Sequence, residues 1–171
     1  MDAARPLGPL ARFFISDHRR LDEILRSATA VAGHIDPVRF EEFRGGLLRH
    51  IGMEEKVLLP AARRAQSGQP LSVARLLRAD HGAIAALLVP TPTPEVVERL
   101  LSVLRPHNAL EEEAGGLYET CDRLLTQDAP AILEELRVFP SVPLAPHQDS
   151  ALVERHIAEV LDLARKARSR A

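Results

Sequence analysis

The chain has 171 residues, of which 46% are apolar and 27% charged, with a formal net charge of -2. That length supports one domain with a sizeable core, and the even charge excludes a general electrostatic pull toward nucleic acid. Cys121 is the single cysteine, so no intrachain disulfide forms. The stretch MDAARPLGPLARFF lacks the basic start and clean apolar run of a secretory signal, and no apolar run reaches the length of a membrane span. The expected setting is a reducing cytoplasm, with no membrane contact and no nucleic-acid partner.

Ala, Leu, Arg and Glu dominate, and no alternating run suggests a strand, so the expected fold class is all-α. A first helix is predicted over 7–32, where Phe14, His18, Leu21, Leu25 and Ala28 recur at steps of three and four and share one face. GHIDP at 33–37 ends it, with Asp36 as cap and Pro37 as first residue of the next helix. That second helix is predicted over 37–66, with Phe40, Phe43, Leu47, His50, Glu54, Val57, Leu58 and Ala61 inward; Gly45 and Gly46 weaken it and Pro60 bends it. A third runs over 71–89, with Ala74, Leu77, His81, Ile84 and Leu88 inward, and VPTPTP stops it. A fourth covers 95–126, with Val97, Leu100, Leu104, His107, Glu111, Ala114, Tyr118, Cys121 and Leu125 inward. Pro106 lies inside that pattern and is expected to kink the helix or begin a new segment. Residues 126–146 are rich in Pro and only partly helical, and a last amphipathic helix is predicted over 148–168. Short links favour antiparallel neighbours, so residues 1–126 are read as an up-down-up-down four-helix bundle. Residues 127–171 are read as a connection and an extra C-terminal helix that packs on the bundle or on a partner.

The halves of the bundle repeat weakly. The first and third helices carry DHRRLDEIL and DHGAIAALL, and the second and fourth carry HIGMEE and HNALEE. His18, His50, His81 and His107 fall on the four inward stripes, with Glu54 and Glu111 four residues after His50 and His107. A spacing of four residues rises roughly 6 Å and stacks two side chains on one face. The spacing alone is a weak signal: an acid follows a given His at that offset roughly one time in seven by chance, and Asp22 does so after His18. The inward phase decides. Two stranded carboxylates in a core of Leu and Ala would each cost several kcal/mol. Two divalent cations would supply the missing charge, and mixed imidazole and carboxylate donors suit iron, with manganese or zinc also possible.

In this order, DH (17–18), HIGMEE (50–55), DH (80–81) and HNALEEE (107–113) resemble the hemerythrin-like family, also called the HHE cation-binding domain. The likeness spans residues 10–125 and implies a four-helix bundle around a non-haem di-iron centre, two iron ions with an oxo or hydroxo bridge. By position it makes His18, His50, His81 and His107 terminal iron ligands and Glu54 and Glu111 bridging carboxylates. Oxygen carriers of the family have a fifth His on the third helix, where this chain offers Leu77 and Ala85, and an Asp five residues after the last His, where this chain has Glu112. The resemblance therefore implies one iron with a position for water or another ligand. It points to binding or sensing of dioxygen, nitric oxide or iron and redox state, with turnover of dioxygen, peroxide or nitric oxide as the enzymatic alternative. A metal-free bundle of mutually satisfied His-Glu pairs is the structural alternative. The C-terminal helix is a candidate surface for a homodimer or a regulatory partner.

The remaining polar residues are read more plainly. His34 falls off the inward face of the first helix, and His147 and His156 are expected at the surface. Glu55 and Glu112 are expected in solvent, with Glu112 a reserve ligand if Pro106 changes the phase. Asp17, Asp22 and Asp80 are read as surface charge, though an acid there could orient an imidazole. Tyr118 is read as core, with donation of a hydrogen bond near the centre as the alternative, and Cys121 as core.

Overall fold

The computed structural model describes residues 7–170, and among them the regular elements are all helical. Helix α1 spans Pro9–Ala28, α2 spans Pro37–Met53, a π-helical turn spans Glu54–Leu58, and α3 spans Leu59–Ala65. They are followed by α4 (Ala74–Leu87), α5 (Pro94–Glu112), α6 (Leu117–Leu124), α7 (Ala129–Arg137) and α8 (Ala151–Arg168). Asp36 caps α2 by accepting from the amides of Val38 and Arg39, and Pro37 follows as first helical residue. No helix among the described residues is long and apolar enough to cross a membrane.

Two expectations need correction. Of the two outcomes expected at Pro106, a new segment does not begin there: α5 runs on through it. The break comes at Glu113–Gly116, where Gly115 has φ of 78°, a left-handed conformation that favours glycine. Gly46 is also more than a weak helix former. A Cβ there would come within 2.6 Å of Leu21 Cδ2, so the missing side chain lets α1 and α2 pack closely.

The apolar core forms two clusters. One gathers Leu10 and Phe14 of α1, Met53 and Leu58, Leu77 of α4, and Leu117, Tyr118 and Cys121 of α6. The other gathers Leu21 and Leu25 of α1, Phe40 and Leu47 of α2, Ile84 and Leu87 of α4, Leu100 of α5, and Ile157 of α8. On each of α1, α2, α4 and α5 the inward His falls between residues of the two clusters, so the polar layer is sandwiched between apolar ones. Helix α8 lies along α4, and α6 lies along α1.

The tail is fastened as well as packed. Arg49 donates to the carbonyls of Leu136 and Phe139 at the end of α7. His147 Nε2 lies 2.7 Å from Glu41 Oε1, so this residue is half-buried and pinned rather than free at the surface. Asp149 accepts from the amide and hydroxyl of Thr91, and Ser150 caps α8 through the Val153 amide.

Candidate metal centre

The structure brings all six residues that the sequence singles out into one buried layer. Glu54 and Glu111 are fully buried, and the four imidazoles are at most 7% exposed. His81 Nε2 is 3.1 Å from Glu54 Oε2, and His107 Nε2 is 3.1 Å from Glu111 Oε1. On the other side His50 Nε2 is 3.4 Å from Glu54 Oε1, and His18 Nε2 is 3.5 Å from Glu111 Oε2. Each glutamate thus turns one oxygen toward the His81–His107 end and the other toward the His18–His50 end. Donor atoms of Glu54, His81, His107 and Glu111 lie within 4.8 Å of one another, and so do those of His18, His50 and Glu111.

Part of this arrangement is unsatisfied by the protein itself. Glu54 Oε2, Glu111 Oε1 and His81 Nε2 are buried and make no sound hydrogen bond despite the short separations. Buried polar atoms normally find partners, and three that converge on one point are the donor set a cation would use. The residues present fit a cation at this end, and His18, His50 and Glu111 form a second group of suitable donors.

Behind the imidazoles lies a second arrangement, which the sequence offers only as the lesser alternative for Asp17 and Asp80 and does not offer for Glu55. His50 Nδ1 is 2.9 Å from Asp17 Oδ2, His81 Nδ1 is 2.8 Å from Glu55 Oε1, and His18 Nδ1 is 2.6 Å from Glu112 Oε1. His107 Nδ1 faces Asp80 Oδ2 at 3.4 Å, an ionic contact rather than a hydrogen bond. The four contacts close a ring. Each Asp of an Asp-His pair serves the His of the next helix hairpin partner, and each second Glu of a His-x-x-x-Glu-Glu run serves the His of an Asp-His pair. Nδ1–H donation to a carboxylate fixes the tautomer and leaves the Nε2 lone pair facing the centre. Glu55 and Glu112 are therefore not free solvent charges, and neither are Asp17 and Asp80. Asp22 does pair at the surface, with Arg26, and His34 is exposed. The doubled Asp-His and doubled Glu-Glu were the available signals. What hid them is that every pair bridges two helices.

The π-helical turn explains how two adjacent glutamates reach one imidazole. Its wider turn begins at Glu54, and such insertions concentrate at functional sites. Glu54 meets Nε2 of His81 from inside while Glu55 meets Nδ1 from the rim, where Arg78 also holds it.

Tyr118 is the other residue whose place the sequence does not fix. Asp122 accepts from the amides of Leu10 and Ala11 and so ties α6 to the start of α1. Four residues earlier, the Tyr118 ring stacks on Phe14 with centroids 5.0 Å apart. Its hydroxyl donates to Glu54 Oε1 at 2.6 Å and lies 3.2 Å from Glu111 Oε2. It is also 3.3 Å from Nε2 of both His18 and His50. The phenol thus stands amid the four donors of the His18–His50 end.

Electrostatics in the metal-free protein follow from burial and these neighbours. Burial opposes charge on His50, but Glu54 and then Asp17 outweigh it and raise its pKa to about 10. For His107, burial is likewise outweighed by Glu111 and by Asp80, again giving about 10. His81 is also raised, with burial overcome by Glu54 and Glu55. Burial resists ionisation of Glu54, yet His50 and His81 hold it well below the usual carboxylate range. Glu111 goes the other way, pushed up by burial and by the charge on Glu54. Burial and the two glutamates push the Tyr118 hydroxyl well above 10. Imidazolium thus substitutes for part of the missing positive charge when no cation is bound.

Comparison with known proteins gives one match. The model of a family described as hemerythrin HHE cation binding domain matches residues 10–114, a stretch that contains all six converging residues. No curated protein and no solved structure gives a significant match.

Proposed function

The chain belongs to the hemerythrin HHE cation-binding family, and from that premise we propose that it is a non-haem di-iron protein that binds or senses a small diatomic ligand or iron and redox state. In this reading the cofactor would be two iron ions with an oxo or hydroxo bridge: His18 and His50 would hold one iron, His81 and His107 the other, and Glu54 and Glu111 would offer an oxygen to each. Zinc or manganese would suit the same donors. The observation that carries the reading is the division of each buried glutamate between two histidine pairs.

When bound, such a metal pair supplies Lewis acidity and redox change. The chain's own residues do the rest. The carboxylates on Nδ1 keep the Nε2 lone pairs turned inward. The apolar clusters above and below keep bulk water out. The Tyr118 hydroxyl offers the His18–His50 end one more oxygen and a proton to donate. The His81–His107 end has no such group and is where dioxygen, nitric oxide or another small ligand would enter. The helices bearing His18, His50, His81 and His107 pass the two clusters in alternating order, which supports an up-down-up-down bundle. A cytoplasmic place, no membrane or nucleic-acid partner, and a homodimer or regulatory contact on the outer face of α8 belong to the same proposal.

Metal analysis of the purified protein, together with its absorption spectrum, tests this. Two irons per chain and an oxo-bridge band that shifts on adding azide are expected. Purified protein that takes up no metal, and whose melting temperature is unchanged by a chelator, would leave the cluster as a polar core of His-Glu pairs.

A further inference from the structure

Three of the four carboxylates behind the imidazoles lie within reach of solvent: Asp17 is 14% exposed, Glu55 25% and Glu112 35%. Asp80 differs, because it is 1% exposed and stands between α4 and α8. A carboxylate buried to that degree needs a polar partner. It receives one from outside the family match. Arg168, the last residue of α8, donates from its guanidinium to Asp80 Oδ2. The same oxygen faces His107 Nδ1.

The sequence puts Arg168 there by helical spacing. Ile157, Ala164 and Arg168 are separated by seven and four residues and so share one face of α8. Ile157 and Ala164 are buried in the cluster that holds Leu87 and Leu100, which fixes α8 along α4 and brings its end to Asp80. The other end of α8 is held near Thr91 through Asp149 and to Arg99 through Glu154.

We propose that Arg168 is a positioning residue for the metal centre: it fixes Asp80, Asp80 orients His107, and docking of α8 and metal loading at the His81–His107 end are thereby linked. The inference rests on the di-metal reading above. The linkage has a direction. A metal on His107 Nε2 requires the ring to face the centre, Asp80 on its Nδ1 side sets that orientation, and Arg168 sets Asp80. Coupling between two equilibria is reciprocal, so loading must strengthen α8 docking as much as α8 docking strengthens loading.

The test is titration of the full-length metal-free protein with Co(II), followed by its visible absorption, for wild type, Arg168→Ala and Arg168→Lys. Wild type should bind two Co(II). In Arg168→Ala the second equivalent should bind about tenfold more weakly, with altered bands for that ion, while the first is retained. Arg168→Lys, which keeps the cation, should restore most of the loss. Hydrogen exchange of α8 amides should slow on loading in wild type and respond less in Arg168→Ala. Equal binding of both equivalents in wild type and Arg168→Ala would overturn the inference, as would no recovery in Arg168→Lys or α8 exchange indifferent to Co(II). The di-metal reading would survive each of those results. A wild-type protein that takes up no Co(II) would overturn both.

Discussion

At the His18–His50 end of the cluster the Tyr118 hydroxyl sits among the four donor atoms, whereas at the His81–His107 end Glu54 Oε2, Glu111 Oε1 and His81 Nε2 find no hydrogen-bond partner. The backing differs at one position, Asp80, since Glu55 behind His81 borders solvent and is held by Arg78. Asp17 and Glu112 behind the first end border solvent, and Asp17 is also held by Arg20. Asp80 behind the second is buried and relies on a helix that lies beyond the family match. One internal repeat has therefore produced two unlike sites. At the first, a hydroxyl of the protein meets the donor atoms. The second keeps donors in reserve, and the unsatisfied end is the one to expect chemistry from.

The largest expected effect comes from removing what the two ends share. Glu54→Ala or Glu111→Ala should abolish binding of both metals and lower stability by about 3–5 kcal/mol, the cost of breaking a buried charge set. Metal content and urea unfolding would report this. Either variant retaining both metals would show that the bridges are misassigned.

Next comes a contrast between the ends. Tyr118→Phe removes the donor to Glu54 and Glu111, so the metal-free protein should lose about 1–3 kcal/mol. The His81–His107 end should keep its metal and its response to azide. Loss of metal from that end, seen in a Co(II) titration, would mean that the two positions are not separable.

A pH series sharpens the comparison between metal-free and loaded protein. The folded pKa values of His50 and His107 stand near 10, above their ordinary 6.5. Their protonation therefore stabilises the metal-free fold fully below 6.5 and ceases to do so as pH rises toward 10. Metal competes with those same protons. The gap in melting temperature between loaded and metal-free protein should widen from pH about 6.5 to about 9. A constant gap would argue that these imidazoles do not exchange protons for metal.

The smallest effect is a control. Asp22 also follows a His by four residues, yet it pairs with Arg26 at the surface. Asp22→Ala should leave metal content unchanged and stability within about 0.5 kcal/mol. A larger loss of metal would return Asp22 to the candidate ligands.

How far the sequence discloses this site depends on what sets each position. The six central residues are legible because helical periodicity alone puts them on inward stripes, and periodicity is a local property. The caps at Asp36 and Pro37 are legible for the same reason. The ring of Asp17, Glu55, Asp80 and Glu112 is legible only as an alternative for its two aspartates, since each contact joins two helices and depends on their rotation. A residue one place from an inward His is 100° away on a helical wheel and reads as solvent-facing until the neighbouring helix is in place. The π-helical turn at Glu54–Leu58 shifts phase just before Pro60, where the sequence suggests only a bend. Tyr118 is core as read, but its place among the donors is not fixed by the sequence, because the continuous fourth helix that the pattern suggests is broken at Glu113–Gly116 and the return of α6 to α1 through Asp122 is a tertiary event. Arg168 is the extreme case, 88 residues from the Asp80 that it holds.

Anomalous diffraction from crystals of the iron-loaded protein tests the central claim most directly. Two peaks about 3.5–4 Å apart are expected, one flanked by His18 and His50, the other by His81 and His107, with Glu54 and Glu111 spanning both. A single peak, or metal bound away from the two glutamates, would contradict the account.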